Sequence, residues 1–122
     1  MNKEIIKRYG ETNNFGRLLG MKYSLHESGD IHYHVKINKE HLATKTAAHG
    51  GLLAAMMDGV VGVAALERVS EKGKVVSTVE MKLNFLNPAF LGDELIGIGK
   101  VLKEGKRILV VEGKIYLSLI HI

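Results

Sequence analysis

The sequence has no cysteine and only one proline, Pro88, among its 122 residues. Without cysteine there is no disulfide framework, no thiolate nucleophile and no thiolate metal site. The longest apolar run, 52–66, is shorter than the roughly twenty residues that a membrane span needs, and it contains the charged residue Asp58. The first residues carry charges where a signal peptide needs an apolar stretch. We therefore expect a cytoplasmic protein with no membrane partner.

Strong charge asymmetry is also missing. The net charge is only +4, and the lysines are scattered rather than clustered among stacking aromatic residues, which argues against a nucleic-acid partner. No Gly/Ser linker, low-complexity tract or internal repeat divides the chain. With 46% apolar residues, the composition predicts one globular domain over residues 1–122.

The hydrophobic pattern predicts an α+β fold. A short amphipathic helix over 2–9 precedes a hairpin over 22–38 that turns at residues 28–30, and residues 50–67 are apolar nearly all round, as in a buried central helix. Alternating polar and apolar residues then predict three strands, at 74–86, 93–103 and 106–116, with the last two joined at Glu104-Gly105. Strands on both sides of one long helix predict an antiparallel sheet around that helix.

Asp58 is the candidate for chemistry, because it places one carboxylate in the middle of this otherwise apolar helix. A buried carboxylate is costly unless it is compensated. A structural role, with the acid satisfied by backbone or lysine or simply exposed, is the alternative. At helical spacing the acid shares a face with small residues only: Gly51, Ala54, Ala55, Gly62 and Ala65. Such a face admits either tight packing or a slender ligand.

The predicted helix begins with His49-Gly50-Gly51, where free N–H groups and the helix dipole can polarise a carbonyl. Gly51 and Asp58 are seven residues apart, which corresponds to roughly 10 Å along a helix. One carbonyl cannot reach both. If they act together, the acid comes from a second subunit and the site lies across a dimer interface.

The His49-Gly50-Gly51 motif, Asp58 six residues later, and the stretch 78–89 (TVEMKLNFLNPA) together resemble the hotdog-fold thioesterases of the phenylacetate (PaaI) type. The resemblance runs from about Phe15 to Tyr116. It implies an antiparallel sheet wrapped around a central helix, dimers that often pair into tetramers, and hydrolysis of acyl-CoA without metal or other cofactor.

The resemblance also implies roles for single residues. Asp58 corresponds to the nucleophile or general base, Gly51 to the amide that polarises the thioester, and His49 to a supporting residue. Thr78 corresponds to a Ser or Thr that helps to place the attacking water. Ala43 and Thr46 depart from the family pattern, which usually has Asn and Gly at those positions.

Coenzyme A, as part of the substrate, would meet Gly50 and cations. Lys103, Lys106 and Arg107 lie near the last predicted turn, and Lys82 lies on the preceding strand. These four could bind its phosphates, although ordinary surface charge is the alternative.

A metal site is the remaining possibility, and the sequence does not favour one. His32 and His34 share one side of a strand, but the sequence gives no third ligand at metal-binding spacing. Two other functions stay open: a non-catalytic acyl-CoA binding or scaffold protein, and an acyl-CoA dehydratase with His49 as the base.

Overall fold

The computed structural model describes residues 3–26, 28 and 30–118. Two short helices begin the chain, α1 (Lys3–Thr12) and α2 (Asn14–Leu18). One turn of 3-10 helix, Lys39–His41, precedes the loop that leads to the long helix. In chain order the remaining elements are β1 (Lys22–Leu25), β2 (Ile31–Lys36), α3 (Gly50–Ser70), β3 (Glu94–Glu104) and β4 (Leu109–Leu117).

The four strands form one antiparallel sheet in the order β1-β2-β3-β4, and α3 packs against β2, β3 and β4. Alternation sets the buried face: Ile31, Tyr33 and Val35 of β2 are buried, whereas His32 and His34 between them are partly exposed. The core formed between sheet and helix includes Met56, Val60 and Val63 of α3, all at most 1% exposed. The predicted antiparallel sheet on a long helix is therefore confirmed.

Glycines on β3 and β4 let the sheet approach α3 closely. A Cβ atom added at Gly99 would lie 2.9 Å from the carbonyl oxygen of Val60, and one at Gly113 would lie 2.5 Å from Sδ of Met57. The contact at Gly99 is with backbone, so that position requires glycine unless the helix moves away, whereas the flexible Met57 side chain could move aside for a Cβ at Gly113. The close approach of the sheet to α3 therefore depends on glycine at position 99.

The central helix is longer than predicted and ends at Ser70, not at residue 67. Glu67 and Arg68 look like a polar end in the sequence, but Val69 and Ser70 are 4% and 1% exposed, so packing extends the helix. It ends where Gly73 adopts a φ of 71° and donates its N–H to the carbonyl of Ser70. This left-handed conformation is available to glycine at little cost.

The predicted strand over 74–86 was wrong. The segment is not part of the sheet, and within the described ranges no backbone group of residues 75–88 makes a backbone hydrogen bond. The predicted apolar face is not buried either, since Val75 and Val79 are each 83% exposed. The alternation of side chains was real, but a strand also needs a neighbour for its backbone, and no described residue pairs with this segment.

Smaller differences concern the ends of elements. The first helix runs to Thr12 rather than to residue 9, and residue 2 lies outside the described residues. The hairpin of β1 and β2 is confirmed, with Gly29 of its predicted turn also outside them. The last turn is longer than Glu104-Gly105, because Gly105 donates to the carbonyl of Ile108 and β4 begins only at Leu109.

Candidate active site

Asp58 and Thr78, two residues predicted to act together, are in direct contact. The Thr78 hydroxyl donates to Oδ1 of Asp58 at 2.5 Å, and both residues are exposed. The contact forms because the segment after α3 runs back along the helix from its C-terminal end. Asp58 is therefore neither a buried acid nor a member of an ion pair among the described residues. Its second oxygen is open to a ligand.

The helix surface next to Asp58 is open because its side chains are small. A Cβ atom added at Gly62, one turn further along α3, would meet nothing within 4 Å. Ala54 and Ala55 are half-buried, and Ala65 is 7% exposed. The predicted small-residue face is thus divided: Ala65 serves packing, whereas Asp58 and Gly62 border free space.

His49 caps the N-terminus of α3, and this changes the expected role of the Gly51 amide. The Gly51 N–H donates to Nδ1 of the His49 ring at 2.7 Å, so the ring carries its proton on Nε2. The N–H of Gly50 has no protein acceptor among the residues the structure describes. In this structure, Gly50 presents the free amide at the helix start, and the Gly51 amide becomes available only when the imidazole moves.

The two halves of the predicted site do not meet within the chain. The helix places Asp58 about 10 Å from Gly51 along its axis, and no loop of the described chain brings the two together. Phe85 lies at the other side of the helix start, where a Cβ atom on Gly50 would be 3.7 Å from its ring. The segment 78–85 therefore runs alongside α3, from Asp58 to the N-terminus of the helix where the free Gly50 amide lies.

A tyrosine network beside Asp58 was not foreseen from the sequence. The ring of Tyr33, 2% exposed, lies against Gly59, where an added Cβ would be 2.8 Å from the hydroxyl. Asn13 donates to the hydroxyls of Tyr9 and Tyr33. Burial above all raises the pKa of Tyr33, and the nearby Tyr9 and the charge of Asp58 add to this. The only signal in the sequence was the alternation of apolar and polar residues along β2, which places Tyr33 on the side of the strand that faces the helix.

The four predicted phosphate-binding cations do not surround Asp58. Lys82, Lys103, Lys106 and Arg107 are all exposed, and the last three lie at the β3–β4 turn. Next to that turn, Glu104 forms ion pairs with Lys72 at 2.6 Å and with Arg68 at 3.2 Å, so the turn lies at the C-terminal end of α3. Arg68 is ten residues from Asp58, or roughly 15 Å along the helix. Only a long ligand could contact both.

Comparisons with known proteins assign the chain to a family. The model of the thioesterase superfamily matches residues 46–118, which contain the helix and both residues of the Asp58–Thr78 pair. The chain belongs to the thioesterase superfamily. Human acyl-coenzyme A thioesterase 13 is 33% identical over 106 residues, covering 85% of this chain and 74% of that protein.

Solved structures show the same fold for this thioesterase-superfamily chain. The PaaI protein of the phenylacetic acid degradation operon of E. coli superposes with a TM-score of 0.73 at 19% identity, covering 88% of this chain and 85% of that one. A Bacillus halodurans protein, solved with CoA, gives 0.77 at 23% identity, covering 92% and 75%. The predicted resemblance to hotdog thioesterases is confirmed.

The histidines of β2 have neighbours that the sequence did not identify. The ring of His26 stacks 3.6 Å from that of His32, and Ser24 Oγ lies 2.8 Å from Nε2 of His34. In this member of the superfamily, no group of three acidic or histidine side chains within the described ranges is arranged to hold a metal. No described helix is long and apolar enough to cross a bilayer.

Proposed function

We propose that the protein hydrolyses acyl-CoA thioesters to a free acid and coenzyme A, with each active site shared between two copies of the chain. The observation that supports this most strongly is the open carboxylate of Asp58, oriented by Thr78 on a helix whose N-terminus offers a free amide. Membership of the thioesterase superfamily and the kinship with an acyl-coenzyme A thioesterase supply the substrate class. The lack of cysteine is compatible with the cytoplasm as its location.

In this proposal Asp58 acts as a general base. The Thr78 hydroxyl donates to Oδ1, which leaves Oδ2 to take a proton from water and the oxygen of Thr78 to accept the second hydrogen of the same water. The water oxygen attacks the thioester carbon, and the C–S bond breaks as the tetrahedral intermediate collapses. The protonated Asp58 then returns the proton to the departing thiolate.

The carbonyl oxygen of the thioester needs donors where negative charge develops. The Gly50 and Gly51 amides at the N-terminus of α3 are suited to this, and His49 Nε2–H is a third donor at the same end. Since one chain holds these groups roughly 10 Å from its own Asp58, we assign them to the α3 of a second copy. Dimers, alone or paired into tetramers, are the corresponding assembly.

In this proposal, positively charged side chains far from Asp58 bind coenzyme A. Lys103, Lys106 and Arg107 can meet its phosphates, while the pantetheine arm spans the distance to Asp58. Lys82 lies apart from these three, because the chain runs from Thr78, at Asp58, towards Phe85, at the N-terminal end of α3. Because these cations are exposed and form no ion pair among the described residues, they are available to a ligand.

A thiol-release assay over a panel of short, medium and aromatic acyl-CoA esters tests the function. We expect turnover for some esters in the wild type and a loss of at least about 100-fold in Asp58→Asn, the effect of removing a principal base. Glu40→Gln, which neutralises an exposed carboxylate on the 3-10 turn, is the matched control and should keep full activity. Tight CoA binding without turnover of any ester would instead indicate an acyl-CoA binding protein.

A further inference from the structure

A cavity of about 540 Å³ lies beside β1, between that strand and the two N-terminal helices. β1 is at one end of the sheet and β4 is at the other, so the cavity lies away from the β3–β4 turn and its cations. No residue to which we assign a role in the proposed reaction lines it. Its volume is within the range of roughly 300–1,000 Å³ that is typical of pockets for small ligands.

Tyrosine rings form much of the cavity wall. The chain has four tyrosines, and three of them, Tyr9, Tyr23 and Tyr33, line this cavity. Met21, which is 8% exposed, adds an apolar side chain to the same lining. Aromatic rings pair with another ring in an offset or edge-to-face arrangement. The wall therefore favours a ligand with a flat, apolar body.

Hydrogen bonds hold these walls in place. The Tyr23 hydroxyl donates to a backbone carbonyl of α1 at 2.8 Å, and the Tyr23 ring lies against Gly10, where an added Cβ atom would collide with it. Asn13, between the two helices, donates to the hydroxyls of Tyr9 and Tyr33. Since the helices are tied to both strands of the hairpin, the cavity exists before a ligand arrives, and little binding energy is lost in forming it.

One hydrogen-bond donor remains unused in the wall. The amide of Asn13 lies 3.0 Å from the Tyr9 hydroxyl and 3.3 Å from that of Tyr33, and it donates to both. Among the described residues, the protons of these two hydroxyls have only each other's oxygen as an acceptor. At most one of the two protons can be used in that way. The other requires an acceptor from a ligand or from water.

Positive charge surrounds the mouth of the cavity. Lys7, Arg17 and Lys22 line it and are exposed, as is Glu11, so the lining has an excess of two positive charges. None of these cations forms an ion pair among the described residues. Nη1 of Arg17 donates to the backbone carbonyl of Glu11 at 2.6 Å, which positions the guanidinium and leaves its other N–H groups for a carboxylate.

We propose that this cavity binds a small aromatic carboxylate. The ring of the ligand lies among the tyrosine rings, and its carboxylate meets Arg17 at the mouth, with Lys7 and Lys22 adding to the attraction. A ligand with a chain of phosphates would bring more negative charge than the lining neutralises and would meet Glu11. An aliphatic acid carries the same charge but offers the tyrosines no flat partner.

A titration of the full chain with benzoate, followed by NMR of isotope-labelled tyrosine rings, tests the site without reference to activity. We expect saturable shifts for Tyr9, Tyr23 and Tyr33, and none for Tyr116 on β4, which is the internal control. Cyclohexanecarboxylate has the same charge without a planar ring and should bind at least about fivefold more weakly, the scale of a lost aromatic pair. Absence of saturation, equal shifts of all four tyrosines, or equal affinity for the two acids would overturn the proposal. Tighter binding of AMP or of inorganic phosphate than of benzoate would also overturn it.

Variants at the mouth provide a second test. Arg17→Gln should raise the dissociation constant of benzoate at least about fivefold, because it removes a charge-assisted hydrogen bond. Arg8→Gln removes the same charge from an exposed position of α1 outside the cavity and is the matched control, with an expected change below about twofold.

Arg17→Lys separates binding from structure, since Arg17 also bonds to the carbonyl of Glu11. It keeps the charge but not the fork of donors, so we expect a dissociation constant between those of the wild type and Arg17→Gln. Circular dichroism confirms the fold of each variant. Unchanged affinity in a folded Arg17→Gln, or an equal loss in Arg8→Gln, contradicts the assigned site.

Discussion

The Thr78 hydroxyl donates to Asp58 Oδ1 at 2.5 Å, so the position of the carboxylate depends on a residue twenty positions further along the chain. The helix alone would leave the Asp58 side chain free to change rotamer in solvent. A single hydrogen bond from an otherwise unpaired segment selects one orientation. Substitutions at Thr78 therefore test the orientation of the Asp58 carboxylate without changing its charge.

We expect Thr78→Ala to lower kcat by less than Asp58→Asn does, because the base remains while its orientation is lost. Thr78→Ser keeps the hydroxyl and should retain most of the activity. The measurement is kcat and KM for one good ester in the three variants, with circular dichroism to confirm the fold. A loss in Thr78→Ala equal to that in Asp58→Asn would show that the hydroxyl, not the carboxylate, carries the main role.

Mixed dimers test the shared site. A bulky residue at Gly51 should abolish activity by displacing the His49 ring, since even a Cβ there would be 2.8 Å from its Nδ1. Mixing this variant with Asp58→Asn should restore activity, up to one working site per heterodimer. Heterodimers isolated with two different affinity tags are assayed directly. Folded heterodimers that bind CoA and show no turnover would mean that Asp58 acts only within its own chain.

Replacing either of two glycines by alanine should change the free energy of unfolding, in opposite directions. Gly99→Ala places a Cβ 2.9 Å from the Val60 carbonyl and should destabilise the protein by about 1–3 kcal/mol, the usual cost of overpacking. Gly62→Ala adds a methyl group within α3 where nothing lies within 4 Å, and should stabilise it by about 0.5–1 kcal/mol. Urea unfolding of both variants gives the two differences. Similar values for the two would show that the sheet-to-helix distance adjusts freely.

Acid should weaken the protein through the histidines on the other face of the sheet. Burial is the main cause that lowers the pKa of His32; the nearby His26 lowers it further, and the charge of Asp30 opposes the shift. Burial also lowers the pKa of His34, with smaller effects from His32 and His26. The folded protein thus binds fewer protons than the unfolded chain near pH 6.5, and the free energy of unfolding should fall as pH drops through that value and level off below the lowered pKa values. Urea titrations between pH 7.5 and 5 measure this, and His32→Gln/His34→Gln should flatten the dependence. If the free energy of unfolding of the double variant depends on pH as steeply as that of the wild type, other groups cause the dependence.

The sequence was sufficient for the parts of the fold that local pattern determines. The period of β2 and the existence of a long buried helix follow from side-chain spacing, and the family resemblance assigned Thr78 and Asp58 to one site. The failure at 74–86 has a different origin. Alternation shows that a segment is extended, but whether its backbone is paired depends on what lies beside it in space.

The environment of the site was harder to predict. Tyr33 is an ordinary core position by its pattern, and its approach to Gly59 depends on the register of β2 under α3. Likewise, no spacing rule predicts that His49 bonds to the Gly51 amide or that His26 stacks on His32. These contacts are set by rotamers and by packing between distant parts of the chain.

The bond from Gly51 N–H to His49 means that the resting enzyme already holds an acceptor where a carbonyl is expected to bind. A substrate that uses this amide exchanges one acceptor for another, so its net gain is reduced by the strength of the bond it displaces, about 0.5–1.5 kcal/mol. An oxyanion, which binds an amide more strongly than a neutral carbonyl does, overcomes this competition more readily. The cost of displacing the imidazole is the same for the bound ester and for the oxyanion, so His49 lowers the affinity of this amide for both and leaves unchanged the difference between them that drives turnover.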